Sequence, residues 1–145
     1  MSVQALPSVE TLAVEALLGD ADVSAIVGTK VYTETPETLT YPLVRVIRIG
    51  GSASDHHWLD RPTLQVEAFT KAALPTYGFN GIRSAARGLC ELAVVALHNL
   101  EATSAVVGAV RDIIGPRSIP SGVNQVSRFT AEVEITLHPL VSESS

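Results

Sequence analysis

The sequence predicts one α+β domain: a mostly antiparallel sheet of about five strands, packed on one face by two helices. Three stretches carry that expectation. Residues 59–71, L-D-R-P-T-L-Q-V-E-A-F-T-K, hold a strand in which Leu64, Val66 and Ala68 alternate with Thr63, Gln65 and Glu67. Residues 125–139 alternate over a longer span, with Ser127, Phe129, Ala131, Val133, Ile135 and Leu137 set against Arg128, Thr130, Glu132, Glu134, Thr136 and His138. Successive side chains of a strand point to opposite faces, so both stretches describe a sheet that is dry on one face and wet on the other. Between them, Ile82, Ala85, Ala86, Leu89, Cys90, Ala93, Val94, Leu97 and Leu100 form a wide apolar stripe at helical spacing.

The remaining elements follow in order. Ser8 is a candidate N-cap, with Glu10 complementing the helix dipole; Val9, Leu12, Ala13, Ala16 and Leu17 recur helically up to Gly19. A short helical turn over residues 22–27 stops at Gly28. Residues 30–35 predict a short strand ended by Pro36. Pro42, which lacks an N–H, opens a strand over residues 43–49, L-V-R-V-I-R-I. Its two largely apolar faces suggest a central position, and Arg45 and Arg48 differ in parity, so they leave on opposite faces. Residues 50–60, G-G-S-A-S-D-H-H-W-L-D, predict a long polar loop. Asn80 is a candidate cap for the long helix, whose run from Leu92 to Leu97 is apolar almost all round and predicts burial against more than one surface. Residues 106–114 predict a strand interrupted by Gly108, and residues 115–122, G-P-R-S-I-P-S-G, a turn-rich connection. The expected domain spans residues 1–140, with a disordered tail at 141–145.

Composition narrows the function. Hydrophobic residues make up 46% of the 145 and charged residues 17%, which fits a folded globular chain and argues against disorder. Net charge is −5 and no basic run occurs, which argues against tight binding to a phosphate backbone. The lone Cys90 allows no internal disulfide, fits a reducing compartment, and sits in a pattern that buries it. The N-terminal residues lack the charged and apolar regions of a signal peptide, and no apolar run is long enough to span a membrane, so a cytoplasmic site of synthesis is expected.

No stretch reads as an active site. Asp55, His56, His57 and Asp60 include metal-ligand types, but adjacent histidines rarely converge on one ion, and neither H-x-x-x-H nor C-x-x-C accompanies them. Gly50–Gly51 follows a strand without the third glycine, G-K-[ST] or helix of a phosphate loop. No G-x-S-x-G occurs, and Glu132 and Glu134 read as a wet strand face rather than an acid–base pair. The reading is therefore of a protein without catalytic residues, metal or cofactor, whose function lies in its surfaces. Trp58, the only tryptophan, is either an anchor for a protein contact or a lid folded over the sheet.

Four pieces, taken in order, resemble the tail-terminator (tail-completion, or minor tail) proteins of long-tailed bacteriophages. They are the N-terminal helix with D-A-D-V-S-A-I-V-G-T-K-V-Y (20–32), the proline-led T-Y-P-L-V-R-V (40–46), L-D-R-P-T-L-Q-V-E-A-F-T (59–70) before an alanine- and leucine-rich helix, and V-S-R-F-T-A-E-V-E-I-T (126–136). The resemblance implies a virion structural protein that forms a six-membered ring. Such a ring caps the head-proximal end of the tail tube, stops its polymerisation and offers a surface to the head connector or neck protein. It would be assembled in the host bacterial cytoplasm, and DNA would pass through its lumen without specific binding. Six copies would carry about −30, repelling phosphate. Arg45, Arg48, Asp55, Trp58, Asp60 and Arg61 are the candidate subunit and tube contacts. A neck or head-closure protein, a tail-tube subunit, or a small cytoplasmic ligand-binding domain are the alternatives.

Overall fold

A computed structural model describes residues 2–3, 8–53, 60–138 and 141–142. Its elements are β1 (Ser2–Val3), α1 (Val9–Gly19), α2 (Ala21–Val27), β2 (Val31–Tyr32), β3 (Leu43–Ala53), β4 (Asp60–Thr70), α3 (Ile82–His98), α4 (Leu100–Thr103), β5 (Val107–Ile119), β6 (Ser127–Leu137) and β7 (Val141–Ser142). Five strands form one sheet in the order β2-β3-β4-β6-β5. Only the two-residue β2 runs parallel to its neighbour. Two residues of the expected tail, Val141 and Ser142, pair antiparallel with Val3 and Ser2. No helix among the described residues is long and apolar enough to cross a membrane.

The helices begin where local chemistry satisfies their free amides. Ser8 Oγ accepts from Thr11 N–H at the start of α1. Asp20 Oδ1 accepts from both Asp22 and Val23 N–H at the start of α2, which ends at Gly28 with φ 62°. At α3 the cap is Gly81 rather than Asn80: Ser84 Oγ, one turn in, accepts from Gly81 N–H at 2.9 Å.

The helices cover one face. α3 lies over β4, β6 and β5, and α1 lies over β3 and β2. The core between them takes the dry parity of each strand: Val44 and Val46 from β3, Leu64, Val66 and Ala68 from β4, Ala131, Val133 and Ile135 from β6. Ala86, Leu89, Cys90, Ala93 and Leu97 of α3 meet them.

Several expectations need correction. The strand expected over residues 30–35 is only Val31–Tyr32. β3 is not central: it has β4 on one side but only β2 on the other, so most of its outer edge is open. The supposed loop at 50–60 is strand at both ends, since Gly50–Ala53 pair with Thr63–Asp60 to lengthen a β-hairpin. A loop reading overlooks that glycine's freedom can also serve pairing, as at Gly51, whose φ of +124° an L side chain rarely adopts. β5 runs on through Gly115 and Pro116 where a turn-rich connection was expected. It is an edge strand, and the register slips between Ile114 and Arg117, so proline's missing donor breaks no ladder bond. The all-round apolar end of α3 is not fully covered, because Val95 remains 58% exposed.

Gly51 pins the hairpin. Its φ is +124°, and a Cβ there would sit 2.3 Å from the Arg61 carbonyl oxygen. A Gly51→Val protein should lose the pairing of residues 51–53 with 60–62 while keeping the helix–sheet core. The strain is about 1–3 kcal/mol, and the hairpin tip can relieve it by opening. Hydrogen exchange is the check: faster exchange confined to these residues is expected, and unchanged protection would contradict the strain argument.

Candidate assembly site

The wet parity of the strands forms the other sheet face, and no described helix covers it. Carboxylates on the inner strands β4 and β6 meet arginines on either side. Arg111 pairs with Glu134 and Arg117 with Glu132, both partly exposed. Pairs of this kind contribute about 0–1 kcal/mol each.

Glu67 differs. Sequence parity places it on the wet face, yet it is wholly buried. Arg45 Nε donates to Glu67 Oε1 at 2.7 Å and Arg128 Nε donates to Glu67 Oε2 at 2.6 Å. The two arginines come from the strands flanking β4, with Arg45 directly opposite Glu67 in register. Both guanidiniums also lie over the Phe69 ring, at 5.9 and 5.7 Å from its centroid. Arg45 donates further to Thr35 Oγ1, and Arg128 Nη1 to the Pro120 carbonyl. One carboxylate is thus held between two guanidiniums, each donating to a different oxygen.

The segments at 32–41 and 121–123 stand around this cluster. With Leu43, Arg45, Phe69 and Arg128 they enclose a cavity of about 200 Å³, whose walls include Tyr32, Leu39, Tyr41 and Val123. That is smaller than the clefts of about 300–1,000 Å³ that take cofactors or drug-sized ligands. Its charged groups, Arg45 and Arg128, are already engaged by Glu67, and neither a cysteine nor a histidine lines it. The arrangement holds three strands and two connecting segments together and offers no nucleophile–base pair.

The expected contact residues fall into separate places. Arg45 belongs to the Glu67 cluster. Arg48 and Asp60 pair with each other across the hairpin, Nη1 to Oδ2 at 2.9 Å and Nη2 to Oδ1 at 3.1 Å. Arg45 and Arg48 do leave on opposite faces, since Arg45 stands opposite Glu67 and Arg48 opposite the core residue Leu64. Arg61 is exposed on β4 opposite Ser52. Asp55 and Trp58, with His56 and His57, lie outside the described residues. Sequence reading missed Glu67 and Arg128, whose shared cluster spans 61 positions in the chain. The available signal was a lone glutamate on a strand whose neighbours both supply arginine at the facing end.

Cys90 is buried as its helical pattern implied, and its Sγ lies 3.9 Å from the Val66 carbonyl oxygen. Burial first, then the negative charge of Glu91 and Glu67, pushes the thiol up to about 12.

Comparison with known proteins decides what such a scaffold belongs to. Residues 5–139 match the family described as phage tail termination protein. The chain belongs to that family. Among solved structures, this terminator-family fold matches a chain of a particle described as the virion of a native gene transfer agent, with a TM-score of 0.55 and 17% identity, over 90% of this chain and 95% of that one. At that identity the likeness concerns the fold. No curated protein matches the chain. Membership makes this a structural component of a phage-type tail.

Proposed function

We propose that the protein ends the tail tube as a closed ring, six-membered as in the family it resembles, at the head-proximal end of the tail. The ring halts addition of tube subunits and presents its far surface to a connector or neck protein. Family membership over nearly the whole chain is the observation that carries this reading. The fold supports it: one sheet face is free of helices, and the sheet is bounded by two different strands. Unlike edges suit head-to-tail contacts, which close into a ring when the rotation permits. The net charge of −5 per copy leaves a ring that repels the DNA it must pass.

The test is to polymerise purified tail-tube protein with and without this protein. Tube lengths are measured by electron microscopy and mass by light scattering. Shortened tubes bearing a ring of about six copies at one end are expected. Tubes of unchanged length would overturn the reading, and rings that bind only connector protein would move the chain to the neck.

A further inference from the structure

Charge is divided unevenly along this chain: the acidic excess lies in residues 8–40, and the rest is nearly balanced. Residues 8–40 carry Glu10, Glu15, Asp20, Asp22, Glu34 and Glu37 against one lysine. Residues 41–138 carry nine basic groups against eight acidic ones. The acidic segment builds α1 and β2, which pack at the β3 side, α2, which packs on α1 and α3, and the connection before β3 that carries Glu34 and Glu37. At the β5 side, Arg83, Arg87 and Arg117 line an open groove with Ser84, Ser118 and Phe129. Arg83 lies over the Phe129 ring at 5.8 Å, while Arg87 pairs with the exposed Glu91 and Arg117 with the half-buried Glu132.

The two sides also match in level and direction. One register row runs Leu43, Phe69, Arg128, Ile119 across the sheet. Glu34 and Glu37, just before β3, therefore sit at the same end as Arg117 and the start of α3. β3, β4, β6 and β5 alternate in direction, so β3 and β5 run oppositely. A neighbour in the same orientation would set its β3 antiparallel to this β5, with its helices on the same face.

The edges themselves are alike in one respect. Each has a bulge that leaves an isoleucine without a cross-strand partner: Ile49 in β3, 47% exposed, and Ile113 in β5, 43% exposed. Each also has an amide covered by a helix glutamate. Glu10 Oε2 accepts from Arg48 N–H, and Glu101 Oε1 accepts from Val110 N–H at 2.6 Å. Such plugs keep an open edge from pairing indiscriminately.

We propose that successive copies of this chain meet through these unlike sides: the Arg83–Arg87–Arg117 groove and β5 edge of one copy receive the acidic α1–β2 side and β3 edge of the next. The proposal rests on the ring reading above and names the surfaces that close the ring. Complementary charge brings the sides together and fixes their register, and the apolar edge residues then lose water.

The experiment uses two full-length variants, Arg83→Glu with Arg87→Glu, and Glu34→Lys with Glu37→Lys. All four positions are exposed, so wild-type melting is expected of both. Assembly is followed by light scattering and tube-end occupancy in the presence of tail-tube protein. Each variant alone should lose ring formation more than tenfold. An equimolar mixture should restore it, because the two kinds alternate around a ring of even number with every contact matched. Raising salt from about 0.05 to about 0.5 M should weaken wild-type rings and serves if a variant fails to fold. Wild-type rings with variants that assemble equally well, with a mixture that restores nothing, or with indifference to salt would overturn this interface and leave the ring reading standing. Wild-type protein that never forms a ring on tubes would overturn both.

Discussion

Glu67→Ala should cost about 3–5 kcal/mol of stability, among the largest effects of any single substitution outside the apolar core. The side chain is 0% exposed, while its two arginine partners are each 23% exposed. Removing the carboxylate leaves two guanidiniums facing each other across a gap, with nothing to balance them. Their partial exposure lets them turn towards water, which favours the lower end of the range. Glu67→Gln keeps the volume and loses the charge, so most of the loss should remain. Glu134→Ala is the internal control, because its pair with Arg111 is exposed and contributes about 0–1 kcal/mol. Urea unfolding midpoints decide the matter. If Glu67→Ala is as mild as Glu134→Ala, the cluster does not hold the sheet as described.

Alkaline pH should unfold the wild-type protein more readily than a Cys90→Ala variant. The folded thiol titrates at about 12, above its ordinary value of 9.0. Below pH 9 both folded and unfolded chains keep the proton, and the stability linked to it is fully present. Between 9 and 12 the unfolded chain releases the proton and the folded chain does not, so stability falls by about 1.4 kcal/mol per pH unit. The accumulated loss approaches about 4 kcal/mol at the top of that window. Cys90→Ala removes this slope while tyrosines and lysines titrate in both proteins. The difference between the two unfolding curves therefore isolates Cys90. Parallel curves from pH 9 to 12 would show that the thiol is not held in an apolar site.

How much of this was legible beforehand depended on whether the determining contacts were local. The alternation at 127–137 and 63–68 survives translation into structure because parity alone assigns each side chain to a face. The α3 stripe is equally local, and its buried set is nearly the expected one. β5 was cut short because Gly115 and Pro116 read as a turn, and only the sheet order reveals an edge strand on which they are harmless. The loop expected at 50–60 failed similarly, since pairing there depends on a positive φ and a close approach to the Arg61 carbonyl at Gly51, neither of which is visible in the residue type alone. The site was less legible than the fold. Arg45, Arg48 and Asp60 are candidate subunit and tube contacts in the sequence, but each has a partner within the chain supplied by another strand. Parity correctly put Glu67 away from the helices. It could not reveal that arginines 22 and 61 positions distant would close over it.

The pairing of Ser2–Val3 with Val141–Ser142 makes the backbone nearly a closed circuit. Two short strands hold shut a loop of well over a hundred residues, and closing so long a loop is entropically unfavourable. This clasp should therefore form after the sheet and release before it. A short covalent link across it would turn the circuit into a true circle without altering the topology. The chain could then be reopened elsewhere, for instance in the exposed connection between β5 and β6. A permuted protein that still folds would show that the order of synthesis, from α1 through β6, is incidental to the architecture.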